Sequence, residues 1–423
     1  MGAKMTTQST TPVKDIQGNI LNPFGRPHAK YLFIQFTAEP TIVRARLHKL
    51  LSQLVTSAER QAEVTAEWKA SGKKRSSQTV GMFGLSHEGL LTLERTAHVP
   101  LSPSLGLKHF EAGMRQPQPI LWEPETDRWQ REYRYERMDA FLLLCDDDLS
   151  RLEQATADAR TQIEAFGKVI VEETGSAIEK NGDTYEPFGF RDGISGIPDP
   201  ESASTPEVFT PEPGYAGGFG CYATFAKFEQ HVKKFWQTAE AIETKAEAQG
   251  LSLSAEQVGA LAVGRQRDGT ALVPSGSKGN NFRFKDVSAS TCPLHAHIRA
   301  VNSRDGLETF ELIRRGIPYP GKGGGDPGLL FLSFERSPLE FIGMLYMAHR
   351  KFDPILSQSS QRARVAREAA SKIGPAGGQR WPVAEKEISH EMTDLTTLRG
   401  GEHFYVPSMR FISGLGLASA AVT

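Results

Sequence analysis

Cysteine is scarce: Cys145, Cys221 and Cys292 are the only three in 423 residues, odd in number and far apart. That argues against a disulfide framework and suits a reducing compartment. No window approaches about 18 consecutive apolar residues, so nothing reads as a membrane-spanning helix. Charge of one sign is lacking too, with 49 Lys plus Arg against 50 Asp plus Glu and a net charge of −1. A nucleic-acid partner held by a basic face is therefore disfavoured. The opening Met1-Gly2-Ala3-Lys4-Met5-Thr6 carries neither an apolar stretch nor a twin arginine, which sets the expectation of a cytoplasmic protein with no membrane partner.

The length exceeds one ordinary core, so two large domains or one duplicated unit are expected. After a disordered leader (1–14), the spacing predicts a strand over 31–36 and one amphipathic helix over 41–70, with Val43, Leu47, Leu50, Leu51 and Leu54 on a single face. Strands are predicted near 79–83, 140–145 and 168–172. Short helices follow 85 and fall within 100–137, and a helix starts at Asp147 or Asp148. A second series starts at the strand 220–228 and continues with helices at 229–249 and 254–264. It ends with a strand at 329–334, a helix at 338–350 and a strand at 402–407. The element order predicts an α+β fold of two ferredoxin-like units, antiparallel sheets covered by helices, divided as 15–180 and 181–423. Segments 265–290 and 357–380 are polar and read as solvated loops.

Three stretches carry unusual chemistry. In Gly189-Phe190-Arg191-Asp192-Gly193-Ile194-Ser195 two glycines bracket an acid, allowing a tight turn and close approach of Asp192 to a bulky partner. Cys292-Pro293-Leu294-His295-Ala296-His297-Ile298-Arg299 supplies imidazoles, and Arg314-Arg315 supplies paired guanidinium groups. A haem peroxidase needs such a set: a neutral imidazole for iron, a base to move the peroxide proton, and a cation to offset charge during O–O cleavage.

In their order along the chain, DIQGNIL, GFRDGIS, CPLHAHIRAVNSR, IRRGIPY, GLLF and FYVPS resemble the dye-decolourising (DyP-type) haem peroxidases over nearly the whole sequence. The resemblance implies two ferredoxin-like domains with haem b held mainly by the second. Asp192 resembles the distal acid, His297 the proximal iron ligand with His295 as competitor, and Arg314 the distal arginine with Arg315 as alternative. Asp353 resembles the acid that accepts a hydrogen bond from the proximal ring. Arg299 and Arg304 are candidates for haem propionates or for ordinary ion pairs. Gly189 and Gly193 would line the cofactor, and Leu329 and Phe331, sharing one strand face, could line the distal pocket. His295 and Pro320 depart from the family's usual residues.

The implied reaction reduces hydrogen peroxide and oxidises organic donors, dyes and phenolic compounds, by one-electron steps, with activity expected to peak below neutral pH. Large donors would require surface aromatics, for which Trp122, Trp129, Trp236, Trp381, Tyr319 and Tyr405 form the pool. One rival is a haem-binding or haem-iron handling protein with incidental peroxidase activity. Another is a metal site built from Cys292, His295 and His297. The Gly-rich run 321–328 lacks the Lys-Ser/Thr of a phosphate loop. A homo-oligomer and docking of the tail 414–423 to a shell protein are left open.

Overall fold

A computed structural model describes residues 13–72, 78–100, 105–116, 125–194, 208–280, 282–285, 287–293, 296–301, 312–321, 323–349, 379–383, 386–390, 392 and 394–416. The first half runs β1 (His28–Phe36), α1 (Pro40–Leu54), α2 (Ala58–Ser71), β2 (Val80–Leu85), α3 (His87–Thr92) and α4 (Leu105–Ala112). It continues with α5 (Arg131–Tyr135), β3 (Ala140–Asp146), α6 (Leu149–Ile163) and β4 (Gly167–Ser176). A hairpin, β5 (Ile178–Lys180) and β6 (Asp183–Tyr185), leads to β7 (Thr210–Pro211), β8 (Phe219–Gln230), α7 (Val232–Glu247) and α8 (Ala255–Val263). Then come α9 (His297–Val301), β9 (Ile313–Arg314), β10 (Ile317–Tyr319), β11 (Gly328–Glu335) and α10 (Pro338–His349). The chain closes with β12 (Gln379–Val383), β13 (Lys386–His390), β14 (Thr396–Val406) and α11 (Met409–Gly414).

Eight strands lie in the order β10-β11-β8-β14-β2-β3-β1-β4, with β7 and β9 added at its flanks. Their pairings are antiparallel. Numbered within each half, both halves read second-third-first-fourth, the ferredoxin-like order. The expected duplication is therefore present in the topology. The halves join where Tyr405 of β14 pairs with Leu85 of β2. At the far edges Gly175 of β4 meets Ile317 of β10, so the sheet curls round towards closure. Tyr31 and Phe33 of β1 pack on Phe225 of β8 at ring distances of 5.1 and 4.7 Å, and Phe141 packs on Phe404 at 4.9 Å. The aromatic core thus belongs to both halves at once.

The 41–70 helix is two helices. Val55 turns extended and bridges Gly81, the Thr56 N–H donates to the Gly81 carbonyl at 2.9 Å, and Ser57 then caps α2. A tertiary backbone partner overrides the local periodicity. Asp148 caps α6 as expected, its side chain accepting from the Arg151 N–H. Segment 265–290 is less solvated than its composition suggests, because Ala271, Val273, Phe284 and Val287 are buried with Cys292 and Ala296 in a small core of their own. The run after Gly321 leads into β11, a strand, where a phosphate loop needs a helix.

Candidate active site

The loop carrying Asp192 follows β6 and is held by backbone pairing at both ends. The Asp192 N–H donates to the Thr184 carbonyl at 2.8 Å, and the Arg191 N–H donates to the Arg267 carbonyl at 3.0 Å. Gly189 and Gly193 adopt φ of +94° and +75°, so the turn needs both glycines that flank the acid. Asp192 Oδ1 accepts from the Gly193 N–H at 2.7 Å. The carboxyl is reachable by solvent yet has protein around it on most sides. Burial raises its pKa above 3.8, opposed by the Gly193 N–H and the positive charge of Arg314.

Arg314 and Arg315 are separated by the strand's alternation. Arg314, on β9, lies within electrostatic reach of Asp192; burial lowers its pKa and the charge of Asp192 works against that lowering, while the guanidinium stays cationic. Arg315 points the other way, donating to the carbonyls of Asn19 at 2.7 Å and Ile20 at 2.6 Å, within the DIQGNIL stretch. It is a structural tie, and burial pushes its pKa down to about 10. The same stretch places Gln17 between the halves, its amide donating to the carbonyls of Phe83 and Pro407 at 3.0 and 2.8 Å.

His297 opens the short helix α9 with its side chain exposed. Arg299, two residues on, spends its guanidinium on the carbonyls of Cys292 at 2.5 Å and Val287 at 3.0 Å and lies over the Phe284 ring. These contacts make it a clamp on the preceding loop. Arg304, Asp353, His295, Trp122 and the Trp381 side chain lie outside the described residues. Cys292 is fully buried, and among the described residues no group of three or more His, Cys, Asp or Glu could hold a metal ion.

On β11, Leu330, Leu332 and Phe334 are fully buried in the shared core, while Leu329 and Phe331 are half-buried on the opposite face. On that face Phe331 meets the buried Phe341 ring of α10 at 5.9 Å. The first helix after β8 packs α7 residues Phe235, Ala239 and Ile242 against Val258 of α8 and Phe190 of the Asp192 loop, in a cluster that contains no residue of β8, β11 or β14.

The segment 264–269 touches both α9 and the Asp192 loop. Gly264 abuts Ile298, the neighbour of His297, whereas Gly269 abuts Ile194 and Arg191 of the Asp192 loop. Arg265, 6% exposed, holds the segment by donating to the carbonyls of Gly269 at 2.8 Å and Gly279 at 3.2 Å. Sequence reasoning passed over this stretch as solvated loop. Its alternation of glycine and arginine was the available signal. It also passed over Glu186, whose carboxylate accepts from the N–H groups of Phe188 at 3.0 Å and Phe190 at 2.9 Å.

A large planar apolar group with an iron centre fits what is present. The chain offers an accessible imidazole at His297, a carboxyl at Asp192 with the Arg314 charge acting on it, and the half-buried Leu329 and Phe331 of β11. Of the relay candidates, Trp129 and Tyr405 are buried, and Trp236 has the Arg267 guanidinium 5.2 Å from its ring, a cation that opposes loss of an electron.

The fold and this site define a peroxidase, an oxidoreductase with two ferredoxin-like halves. Residues 15–177 match the DyP dimeric alpha+beta barrel domain and residues 184–361 the Dyp-type peroxidase C-terminal domain. The chain belongs to the DyP-type peroxidase family, whose members are haem enzymes. It is 29% identical to the multifunctional dye peroxidase DyP2 of Amycolatopsis sp., with 97% of both chains covered. It is 24% identical to a dye-decolorizing peroxidase of Exidia glandulosa, over 97% of this chain and 88% of that one. The crystal structure of an Anabaena DyP-type peroxidase superposes with a TM-score of 0.78 at 24% identity, covering 95% of this chain and 94% of the other. The structure of Amycolatopsis DyP2 gives 0.75 at 27% identity, with 95% and 96% covered. No described helix is long and apolar enough to cross a membrane.

Proposed function

We propose that this chain binds haem b and reduces hydrogen peroxide, drawing single electrons from organic donors such as dyes and phenols. Asp192 is the proton carrier, Arg314 its cationic partner and His297 the iron ligand. The observation that carries the reading is the Asp192 loop: Gly189 and Gly193 at positive φ turn the chain tightly, and the Gly193 N–H at 2.7 Å holds a carboxyl that solvent still reaches and on which the Arg314 charge acts. The choice of donors follows the relatives, which include a multifunctional dye peroxidase and a dye-decolorizing peroxidase.

Haem bound there would supply the redox-active iron. The residues supply the proton handling. Asp192, ionised, takes a proton from hydrogen peroxide and returns it to the oxygen that leaves as water. Arg314 offsets the negative charge that grows as the O–O bond breaks. The Gly193 N–H at 2.7 Å from Asp192 Oδ1 keeps the carboxylate oriented and opposes the desolvation that would hold it protonated. For Asp353 we propose the role of acceptor to the His297 ring, which fixes the imidazole and strengthens it as a donor to iron. For Arg304 we propose a propionate contact.

The deciding experiment is the absorption spectrum of the haem-loaded protein before and after one equivalent of hydrogen peroxide, beside Asp192→Asn and His297→Ala. A rapid peroxide-dependent change that slows in Asp192→Asn, with an altered or lost Soret band in His297→Ala, is the expected result. Stable haem binding without any response to peroxide would overturn the reading in favour of a haem carrier.

A further inference from the structure

We infer that Glu186 is a positioning residue for the peroxide reaction: it holds the loop that aims Asp192 and ties that loop to the end of β8. The inference rests on the reading of Asp192 as proton carrier. Glu186 lies six positions before Asp192, directly after β6, and both ends of its side chain are engaged. Oε1 accepts from the Phe190 N–H at 2.9 Å. Oε2 accepts from the Phe188 N–H at 3.0 Å and from the side-chain amide of Gln230, the last residue of β8, at 3.0 Å. The backbone repeats the tie, with the Glu186 N–H donating to the Phe190 carbonyl at 3.0 Å and its carbonyl accepting from Gly189 at 2.9 Å.

A carboxylate suits this place for a definite reason. Three donors converge on it, the backbone N–H groups of Phe188 and Phe190 and the Gln230 amide, and a carboxyl with two acceptor oxygens serves them all. Phe190 is thereby held 6.2 Å from Trp236 with ring planes 8° apart, and Phe188 4.7 Å from Phe235, which fixes the loop on α7. Two residues past Phe190 stands Asp192, its N–H tied to the Thr184 carbonyl at 2.8 Å and its Oδ1 to the Gly193 N–H at 2.7 Å. An amide side chain at 186 keeps one acceptor and sets an NH2 group against an N–H, so Glu186→Gln frees part of the loop at nearly constant volume.

Two measurements test this on Glu186→Gln, with Glu186→Ala as the stronger variant and Gln230→Leu as the milder one. In the first, amide hydrogen exchange at Phe188 and Phe190 is expected to speed up about tenfold in Glu186→Gln, as loss of roughly one hydrogen bond implies, with β1 amides unchanged. In the second, kcat/KM for hydrogen peroxide in the haem-loaded protein is expected to fall about 10- to 100-fold, while kcat at saturating peroxide stays within about twofold. A purely structural role would lower stability and haem content without that split. Unchanged exchange at the two amides, or faster exchange with kcat/KM intact, overturns the inference. Asp192→Asn is measured alongside. If it keeps full kcat/KM, the proton-carrier reading is what fails; if it loses activity while Glu186→Gln does not, only the positioning role fails.

Discussion

In the first half, α1 and α6 lie on the outer face of their sheet, and Leu32, Ile34 and Phe36 of β1 are buried against Val43, Leu47, Leu50, Leu152 and Ile163. In the second half, the strand order is the same, but α7 turns away to α8 and the Asp192 loop, and the outer face of β11 carries Leu329 and Phe331 half-buried. Further along that face stand Ser333 and Glu335, with Thr224 and His403 beside them on the neighbouring strands. One copy of the unit has put its outer face into apolar packing. The other mixes apolar packing, Phe331 on Phe341 of α10 at 5.9 Å, with a row of buried polar groups.

The largest expected effect tests the chemical side. Asp192→Asn should slow the reaction with peroxide by roughly 10²- to 10⁴-fold, the usual size of a lost general base, with little loss of stability. In the unaltered protein the same rate should fall on the acid side with a pKa raised above 3.8, because the carboxyl must be ionised to accept the proton and burial opposes ionisation. Stopped-flow rate constants across pH check both, and an acid limb that survives in Asp192→Asn would remove the assignment.

Next comes the contrast between adjacent arginines. Arg314→Ala should lower the peroxide rate by about 10²-fold at nearly unchanged stability, as removal of a charge-stabilising donor does elsewhere. Arg315→Ala should lower stability by about 1–3 kcal/mol, leaving the carbonyls of Asn19 and Ile20 without their donor, and should spare the rate. Swapped outcomes in denaturant unfolding and peroxide kinetics would reverse the two roles.

The packing difference gives a smaller pair. Leu32→Ala should cost about 2–5 kcal/mol, since its site is fully enclosed. Leu329→Ala, half-buried, should cost under about 1.5 kcal/mol without haem. Equal losses would mean that the outer faces are filled alike.

The smallest effect concerns Glu335, which accepts from the Thr224 hydroxyl at 2.6 Å, while that hydroxyl also meets His403 Nδ1 at 2.8 Å. Burial pushes Glu335 up to about 8 and His403 down to about 3. A raised carboxyl contributes its stability below its unfolded value of 4.5 and loses it as pH rises through about 8. A lowered imidazole contributes above 6.5 and loses it as pH falls through about 3. Glu335→Gln should therefore raise Tm by roughly 2–4 °C at pH 8 and by less at pH 5, measured by thermal melts.

Much of the fold was legible because its strands are strongly apolar and well punctuated, as with 140–146 followed by the Asp148 cap. The break at Val55 was hidden, since the partner that causes it, Gly81, lies in another element. The glycines around Asp192 could be read directly, because their positive φ is a local requirement that only such residues meet cheaply. Glu186 could not, because nothing in a Glu before Pro-Phe-Gly says that its oxygens will turn onto the following backbone.

By itself the sequence determined the element order, the duplicated plan and the set of acid, imidazole and guanidinium groups, since periodicity and residue chemistry are local properties. Tertiary structure alone set the two neighbouring arginines apart. Alternate residues of a strand face opposite ways, so the direction of Arg314 and Arg315 depended on what lay on either side of β9: Asp192 on one, the Asn19 and Ile20 carbonyls on the other.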